Sequence, residues 1–290
     1  MKNNEITTRE KLKKYFETGK YPTESQFAEL IDSLKLKNDG LTSKELLIIA
    51  NNLATIDHPH ISYFGNDIGK IKLPVIVSQQ NAADQLIQIE NTNAAEKIQY
   101  FLGDAPYSIK AKEFPTEKLD EFVYYILSYK VDPFYTITKL FGNNLPTIPD
   151  GFEFGTLQGN QFYIQVYRFY FGKQVDIVHT NVTFINNTRL MIKYRFEGRY
   201  WGDRYRDKDT VTDHYNFNAA GNDDDLVLYY NSDLSQANES VECRLYDADR
   251  GTLLLSSYLN AGNQYLNLWA GQISGVNNVR IECDYYQNVD

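Results

Sequence analysis

The feature that most constrains this chain is a series of short strand-like segments, which recur about every ten residues after Phe134. Apolar and polar residues alternate in most of them, as in a strand with one buried and one wet face. Glycine, asparagine and aspartate separate the segments and favour turns. This spacing predicts an antiparallel β-sandwich or jelly roll. The predicted strands cover residues 161–171, 175–184, 189–196, 226–230, 241–246, 253–259, 265–268 and 279–285.

Aromatic residues are abundant in this chain, which has 23 tyrosines, and both tryptophans lie in the second half. Because the aromatic content rises near Phe134, we expect a domain boundary close to that residue. The segment from Phe162 to Phe171 is apolar on both faces, which is typical of a central strand or of a strand covered by another subunit. Packing in the core is the favoured interpretation of this segment.

Residues 57–133 predict a small segment of mixed secondary structure. Pro115 begins a predicted helix that continues to Tyr129 and ends before Pro133, because the residue before a proline disfavours the helical conformation. The strand-like runs that precede this helix, with turn residues between them, cover residues 71–78, 85–90, 97–102 and 107–111.

The N-terminal residues carry the clearest helix signals. Thr7 is followed by Glu10 at the spacing of a capping box, in which side chain and backbone bond each other at the start of a helix. Thr23 and Gln26 repeat this pattern and begin a second predicted helix. A third helix is predicted over residues 42–55.

Together these patterns predict an α+β fold in three parts. A helical attachment module would cover residues 1–56, a small mixed α/β segment residues 57–133, and an aromatic-rich, jelly-roll-like β-sandwich residues 134–290. A chain of 290 residues is long enough for two or three such domains. The helical part is too small to bury a core alone, so its apolar stripe must pack against the rest of the chain or a partner.

Composition excludes some classes of function. The net charge of −9 argues against binding nucleic acid without sequence preference, which needs cations. No segment reaches the roughly 18 apolar residues of a membrane-spanning helix, and the N-terminus lacks the apolar run of a signal peptide. Cys243 and Cys283 predict two buried thiols on strands, although a disulfide stays open if those strands face each other.

No motif in the sequence predicts an enzyme, a metal site or a cofactor. The two histidines in residues 57–60 favour a polar turn, because a structural zinc ion needs four ligands. The acidic residues 221–225 lack the spacing of an EF-hand and favour a solvated hairpin turn over a calcium site. Paired carboxylates of a glycan hydrolase stay open as a lesser alternative, since sequence does not show their separation.

The segment from Arg199 to Asp209 is the most distinctive surface feature, because it mixes aromatic rings with arginine and aspartate. Aromatic faces stack on sugar rings, and the same mixture occurs at protein interfaces. A solvated hairpin with its tryptophan in the core, a protein interface and a glycan site all stay open. Nucleic acid is disfavoured because the local charges nearly cancel. The candidate ligand or partner residues are Tyr200, Trp201, Arg204, Tyr205 and Arg206.

Residues 12–33 contain three elements in a fixed order: Phe16-Glu17-Thr18-Gly19, Pro22-Thr23 and Gln26-Phe27. Their order and spacing resemble the N-terminal segment of tail-fibre and baseplate-associated proteins of phages, prophages and contractile injection systems of Bacteroidetes. In that group the segment looks like an attachment element followed by variable β-rich regions. Leu34-Lys35-Leu36 stands in this chain where many relatives have an aromatic residue, so the local partner differs.

The resemblance implies a non-enzymatic structural or receptor-binding component of a phage tail or contractile injection particle. The chain would be made in the bacterial cytoplasm and assemble with other particle proteins, as a homo-oligomer for which a trimer is favoured. A cell-surface glycan is a further candidate partner, and a freestanding carbohydrate-binding sandwich is the alternative function. The predicted assembly residues are Leu12, Tyr15, Phe16, Phe27, Leu30 and Ile31.

Overall fold

A computed structural model divides the chain into two compact units, residues 1–57 and 58–290. No helix among the described residues is long and apolar enough to cross a membrane. The third predicted helix, over residues 42–55, lies outside the described residues except for Ile49. The structure describes residues 9–33, 49, 59–80, 83–92, 98–102, 106–116, 119–130, 133–157, 161–216 and 225–286.

The described residues of the first unit form two short helices, α1 (Arg9–Tyr15) and α2 (Glu24–Ser33). The predicted capping box begins α2. The Gln26 N–H donates to Thr23 Oγ1 at 3.4 Å, and the Thr23 N–H donates to Gln26 Oε1 at 2.9 Å. Gly19, with φ of +85°, takes a left-handed conformation between the helices that costs glycine no strain.

The predicted α+β fold class with a helical N-terminal module is wrong. Strands make up 55% of the described residues and helices 7%. The two helices contain 7 and 10 residues, a length at which an isolated helix is marginal. A capping box specifies where a helix begins, but it does not supply the packing that makes a helical module. The protein is mostly β and is built from several sheets.

The described residues of the second unit form three sheets. The nine-stranded sheet contains, in spatial order, β17 (Gln264–Ser274), β14 (Asp225–Asp233), β11 (Ile192–Gly198), β12 (Trp201–Gly202), β7 (Ile137–Phe141), β6 (Val123–Lys130), β9 (Gln161–Tyr170), β1 (His60–Asn66) and β4 (Ile98–Phe101). The five-stranded sheet contains, likewise in spatial order, β13 (Thr210–Asn216), β10 (Asp176–Asn186), β18 (Asn278–Tyr285), β15 (Val241–Asp247) and β16 (Leu253–Leu259). The order in the four-stranded sheet is β3 (Gln85–Ile89), β2 (Leu73–Ser78), β5 (Tyr107–Ala111) and β8 (Glu153–Leu157).

These sheets enclose two hydrophobic cores. The first core joins the four-stranded sheet, through residues such as Ile109, to β1, β6, β7 and β9 of the nine-stranded sheet. The second core joins the five-stranded sheet, through residues such as Leu245, to β11, β14 and neighbouring strands of the nine-stranded sheet. The prediction of purely antiparallel strands is wrong, because β1 runs parallel to β9 and β10 runs parallel to β18.

Strand β6 contributes side chains to both cores. Tyr125 and Leu127 lie in the first core, while Tyr124 and Ile126 lie in the second. Successive side chains of a strand point to opposite faces, so this alternation follows directly from the extended backbone. Strand β6 is therefore buried on both faces at the centre of the nine-stranded sheet.

The helix predicted from Pro115 to Tyr129 is wrong, because these residues lead into strand β6. The chain turns before the strand, where Phe122 has a φ of +65° and the Val123 N–H donates to the Asp120 carbonyl at 3.1 Å. The apolar run is continuous because both faces of β6 are buried. Such a run also contains pairs at helical spacing, so periodicity alone does not separate the two structures.

The domain boundary predicted between residues 133 and 134 falls between β6 and β7. These two strands are antiparallel neighbours in the nine-stranded sheet, with Tyr129 paired to Ile137. Both strands also supply side chains to both cores. The three-part division of the chain stays a prediction.

Candidate functional site

The segment from Arg199 to Asp209 is paired with the nine-stranded sheet along much of its length. After β11 the chain returns as β12, which pairs with β11 on one side and with Thr138 of β7 on the other. Farther along, Tyr194 and Arg206 exchange two backbone hydrogen bonds, each 2.8 Å long. Backbone pairing therefore fixes the segment before and after Arg204.

Two predicted ligand or partner residues pack against the protein. Trp201 is 8% exposed and belongs to the second core, so its indole offers little surface for stacking on a ligand. The Tyr200 ring lies against Phe169 and Phe171, with centroids 5.9 and 5.1 Å away. These contacts give both rings a packing role in the structure.

A cleft of about 310 Å³ lies beside this segment. Three predicted residues line it, Trp201, Arg204 and Arg206, while β7 and the chain entering β8 supply other walls. Its volume is at the lower end of the range for small-ligand sites. The residues that sequence reasoning did not connect to this segment include Lys139, Phe152 and Glu153.

The cleft is locally basic, although the chain has a net charge of −9. Asp203 Oδ2 accepts a hydrogen bond from Arg206 Nε at 3.1 Å. The other lining carboxylate, Glu153, lies 3.0 Å from Lys110 Nζ. Both carboxylates are thus paired with a cation. The cleft contains two further cations, Lys139 and Arg204.

Arg204 is held in place by neutral acceptors. Its Nη2 donates to the backbone carbonyl of Glu153 and, at 3.3 Å, to Tyr129 Oη. Burial raises the pKa of Tyr129, which keeps this phenol neutral. Because neither acceptor is a carboxylate, these bonds orient the guanidinium without cancelling its charge.

Phe152 forms an apolar wall of the cleft. Its ring packs edge-on against Phe154 and Tyr129, with centroids 5.5 and 6.4 Å away. Lys139 Nζ lies 5.7 Å from the Phe152 centroid, within the range of a cation–π interaction. The wall therefore combines an aromatic ring with a cation that lies over it.

Tyr205 belongs to a neighbouring cluster around Arg195, which is 2% exposed. The Arg195 guanidinium carbon lies 5.6 Å from the Tyr205 ring and 4.3 Å from the Tyr229 ring. Its Nη1 donates to Glu197 Oε2 at 2.6 Å. Burial raises the pKa of Tyr205 to about 12. Since Arg195 occupies the centre of these rings, the cluster does not offer an empty cage for a cationic ligand.

The six predicted assembly residues lie on or beside the two helices. Leu12, Tyr15 and Leu30 are half-buried. The more exposed members are Phe16, Phe27 and Ile31, with exposed fractions of 43%, 46% and 61%.

A small set of contacts joins the two helices to each other. The Phe16 and Phe27 rings meet edge to face at 5.5 Å. Glu29 of α2 accepts hydrogen bonds from Lys11 Nζ at 2.5 Å and from Tyr15 Oη at 2.7 Å. These bonds fix the helices while leaving part of each phenylalanine ring accessible.

Sequence reasoning found the arginines of the cleft but missed Lys139 and Phe152. Neither β7 nor β8 was predicted as a strand, and no local motif connects these residues to Arg204. They meet because β12 pairs with β7 and because Arg204 bonds the Glu153 carbonyl. The candidate calcium turn at residues 221–225 lies outside the described residues except for Asp225.

Comparisons with known proteins give no family for this chain. No family model matches it. No curated protein matches it. A mutant of the major pilin of Streptococcus pyogenes is 9% identical and has a TM-score of 0.16, with 78% of this chain and 97% of the pilin covered. The T-13 major pilin of the same species is 8% identical, with a TM-score of 0.14 and coverage of 79% and 97%. Likeness at this level supports no conclusion about fold or function.

Proposed function

We propose that this chain is a non-enzymatic structural or receptor-binding component of a phage tail or contractile injection particle. In this proposal α1 and α2 attach the chain to another particle protein, and the β-rich unit presents the receptor-binding surface. The chain is made in the bacterial cytoplasm and resides in the assembled particle. The support comes from the exposed apolar residues near the helices and from the resemblance of residues 12–33 to tail-fibre and baseplate-associated proteins.

The apolar surface formed by Phe16, Phe27 and Ile31 is the observation that carries this proposal. Each of these side chains is more than 40% exposed. Full burial of a large apolar side chain contributes about 1.5–3 kcal/mol, so a protein that covers all three gains substantial binding free energy. A contiguous exposed apolar patch is a common sign of a protein interface.

The short length of the helices also supports the proposal that a partner protein packs against them. Helices of 7 and 10 residues gain little from intrinsic propensity, and most helical stability in proteins comes from packing an apolar face. The bonds that Lys11 and Tyr15 make to Glu29 orient the two helices before a partner binds. Docking then needs less ordering of the helices, which favours affinity.

A homo-oligomer is part of the proposal, with a trimer favoured. Closed cyclic assemblies place every copy in the same environment, which suits a fibre-like particle component. The solution mass of the purified chain, measured by light scattering, distinguishes a trimer from a monomer.

The attachment role is tested with the double variant Phe16→Glu and Phe27→Glu in the full chain, co-produced with the particle. We expect the variant to stay folded and to be absent from purified particles, because two carboxylates would be buried at the interface. Circular dichroism and thermal melting check the β-rich unit.

Leu86→Glu provides the matched control, because Leu86 is an exposed apolar residue on β3, with 55% of its surface accessible. This control should enter particles normally. If the Phe16/Phe27 variant also enters normally, attachment through these helices is wrong.

A freestanding carbohydrate-binding protein is the second candidate function. The cleft favours it, because a concave site with an aromatic wall and charged hydrogen-bond donors suits a polar ring. Carbohydrate binding without any association with particle proteins would select this alternative.

A further inference from the structure

We propose that the cleft beside Arg204 binds a carboxylate-bearing sugar ring of an acidic polysaccharide. This inference names the ligand class of the receptor-binding surface and rests on the proposed function for its biological setting. The chemistry itself depends only on the described residues of the cleft.

The size of the cleft fits one ring of a polysaccharide. Its volume of about 310 Å³ is at the lower limit for sites that enclose a small ligand. Glu153 lines the cleft with an exposed side chain, so the rest of a polysaccharide chain can continue outward past it. A single terminal or internal ring is therefore the part that the cleft recognises.

The excess positive charge of the cleft favours an acidic sugar over a neutral one. Asp203 and Glu153 are matched by Arg206 and by Lys110. Lys139 and Arg204 then leave the cleft with two cations beyond these pairs. A carboxylate placed between them lowers the electrostatic cost of holding like charges together, and the chain's net charge of −9 makes this local excess unusual.

Arg204 has the geometry to receive that carboxylate. Both of its side-chain hydrogen bonds come from Nη2, to the Glu153 carbonyl and to Tyr129 Oη. The Nε–H and Nη1 groups are left to contact a ligand as two separate donors, because Cδ lies between them. Each of these donors can make a charge-assisted hydrogen bond to a carboxylate oxygen, and such bonds are among the stronger ones in proteins.

Phe152 provides the surface for the ring itself. Packing against Phe154 and Tyr129 restricts the ring, so little conformational entropy is lost when a ligand covers it. The C–H face of a sugar packs on such a ring. The Lys139 ammonium lies over this ring, 5.7 Å from its centroid, and is therefore within reach of a sugar that contacts Phe152.

The test is calorimetric titration of the purified full-length chain with a galacturonic acid trisaccharide and with the neutral galactose trisaccharide. We expect saturable binding of the acid and binding at least about tenfold weaker for the neutral sugar, which corresponds to the loss of about 1.4 kcal/mol. Raising the salt concentration should weaken binding of the acid, because the contact is ionic.

Lys139→Met is the informative variant, since it keeps the length of the side chain and removes the charge. We expect it to weaken binding of the acid by about tenfold, while Lys139→Arg keeps most of the affinity. Lys72→Met is the control, because Lys72 is an exposed lysine that pairs with Glu90 and does not line the cleft. Thermal melting verifies that each variant is folded.

Three results would overturn the inference: no binding of the acidic trisaccharide, equal binding of the neutral one, or unchanged affinity in Lys139→Met. Inorganic phosphate or an acidic peptide that competes at equal concentration would also overturn it, because the site would then select charge without the sugar ring. None of these outcomes depends on particle assembly. Failure of the Phe16/Phe27 test and failure of the sugar test are therefore distinguishable.

Discussion

Among individual side chains, the buried histidine His214 connects the stability of the protein to pH. Its side chain is 3% exposed and its ring lies 6.0 Å from that of Trp201. Burial lowers its pKa from 6.5 to about 4. Below pH 6.5 the unfolded chain binds a proton at this residue, while the folded chain binds it only near pH 4. The free energy of unfolding should therefore decrease as the pH is lowered from 6.5 to 4, by up to about 3 kcal/mol.

Urea unfolding at several pH values measures this effect. His214→Gln should remove most of the decrease between pH 6.5 and pH 4 that His214 causes. His179→Gln is the control, since His179 lies on the paired strand β10 with its side chain 65% exposed. If the His214→Gln and wild-type chains lose stability equally over this range, His214 is not the group responsible.

The two cysteines are expected to be unreactive while the protein is folded. Cys243 of β15 lies directly opposite Cys283 of β18, and both are buried with free thiols. A hydrogen bond between the thiols, together with burial, raises the pKa of Cys243. Because both thiols are buried out of reach of a reagent, neither residue should react in the folded protein. Both should react in denaturant under an inert atmosphere.

Cys243→Ala provides the control for this measurement, since it should leave one reactive thiol in denaturant. Rapid labelling of the folded wild-type chain would contradict the prediction. A chain with no reactive thiol in denaturant would show instead that the two residues form a disulfide.

Among the individual elements, sequence patterns located strands best where turns flank an apolar segment. Strand β16 was predicted over its observed bounds, Leu253–Leu259, and β5 over Tyr107–Ala111. In β5 buried and half-buried positions alternate along the whole strand. The two-residue strand β12 carries no such pattern, because its place depends on pairing with β11 and β7.

Local sequence patterns likewise identified only part of the candidate site. The composition of the segment from Arg199 to Asp209 identified Arg204 and Arg206 as residues of interest. Lys139 and Phe152 were not found, because strand pairing brings them to the arginines and no local pattern encodes that pairing. The burial of Trp201 also depends on the second core, which forms between two sheets.

Strand β6 gives a prediction that tests its burial on both faces. Ile126 and Leu127 are neighbours in sequence, but each is fully buried in a different core. Ile126→Ala and Leu127→Ala should each lower the free energy of unfolding by about 2–5 kcal/mol, through lost burial and a residual cavity. Chemical denaturation of each variant measures the cost.

Lys130→Ala, at the half-buried end of β6, is the control and should have a small effect. In a strand with one wet face, only one of two neighbouring apolar residues would be costly to truncate. If either Ile126→Ala or Leu127→Ala is tolerated with little loss of stability, burial of β6 on both faces is wrong.

At the scale of the whole molecule, the nine-stranded sheet explains how the cleft is assembled. The chain entering β8 belongs to the side of the first core, through Phe152 and Phe154. Trp201, at the other wall, belongs to the second core. Strand β7 contributes to both, so the cleft lies where the two cores adjoin. Disturbing either core should therefore alter the cleft as well.

The shared sheet also predicts how the unit of residues 58–290 unfolds. Because β6 and β7 supply side chains to both cores, neither core keeps all its contacts when the other is lost. We expect a single cooperative transition for this unit, observed by both tryptophan fluorescence and far-ultraviolet circular dichroism in urea. Ile109→Ala in the first core and Leu245→Ala in the second should each shift this one transition to lower urea, by about 2–5 kcal/mol in unfolding free energy. Two separate transitions, each shifted by only one of the variants, would show that the cores unfold independently.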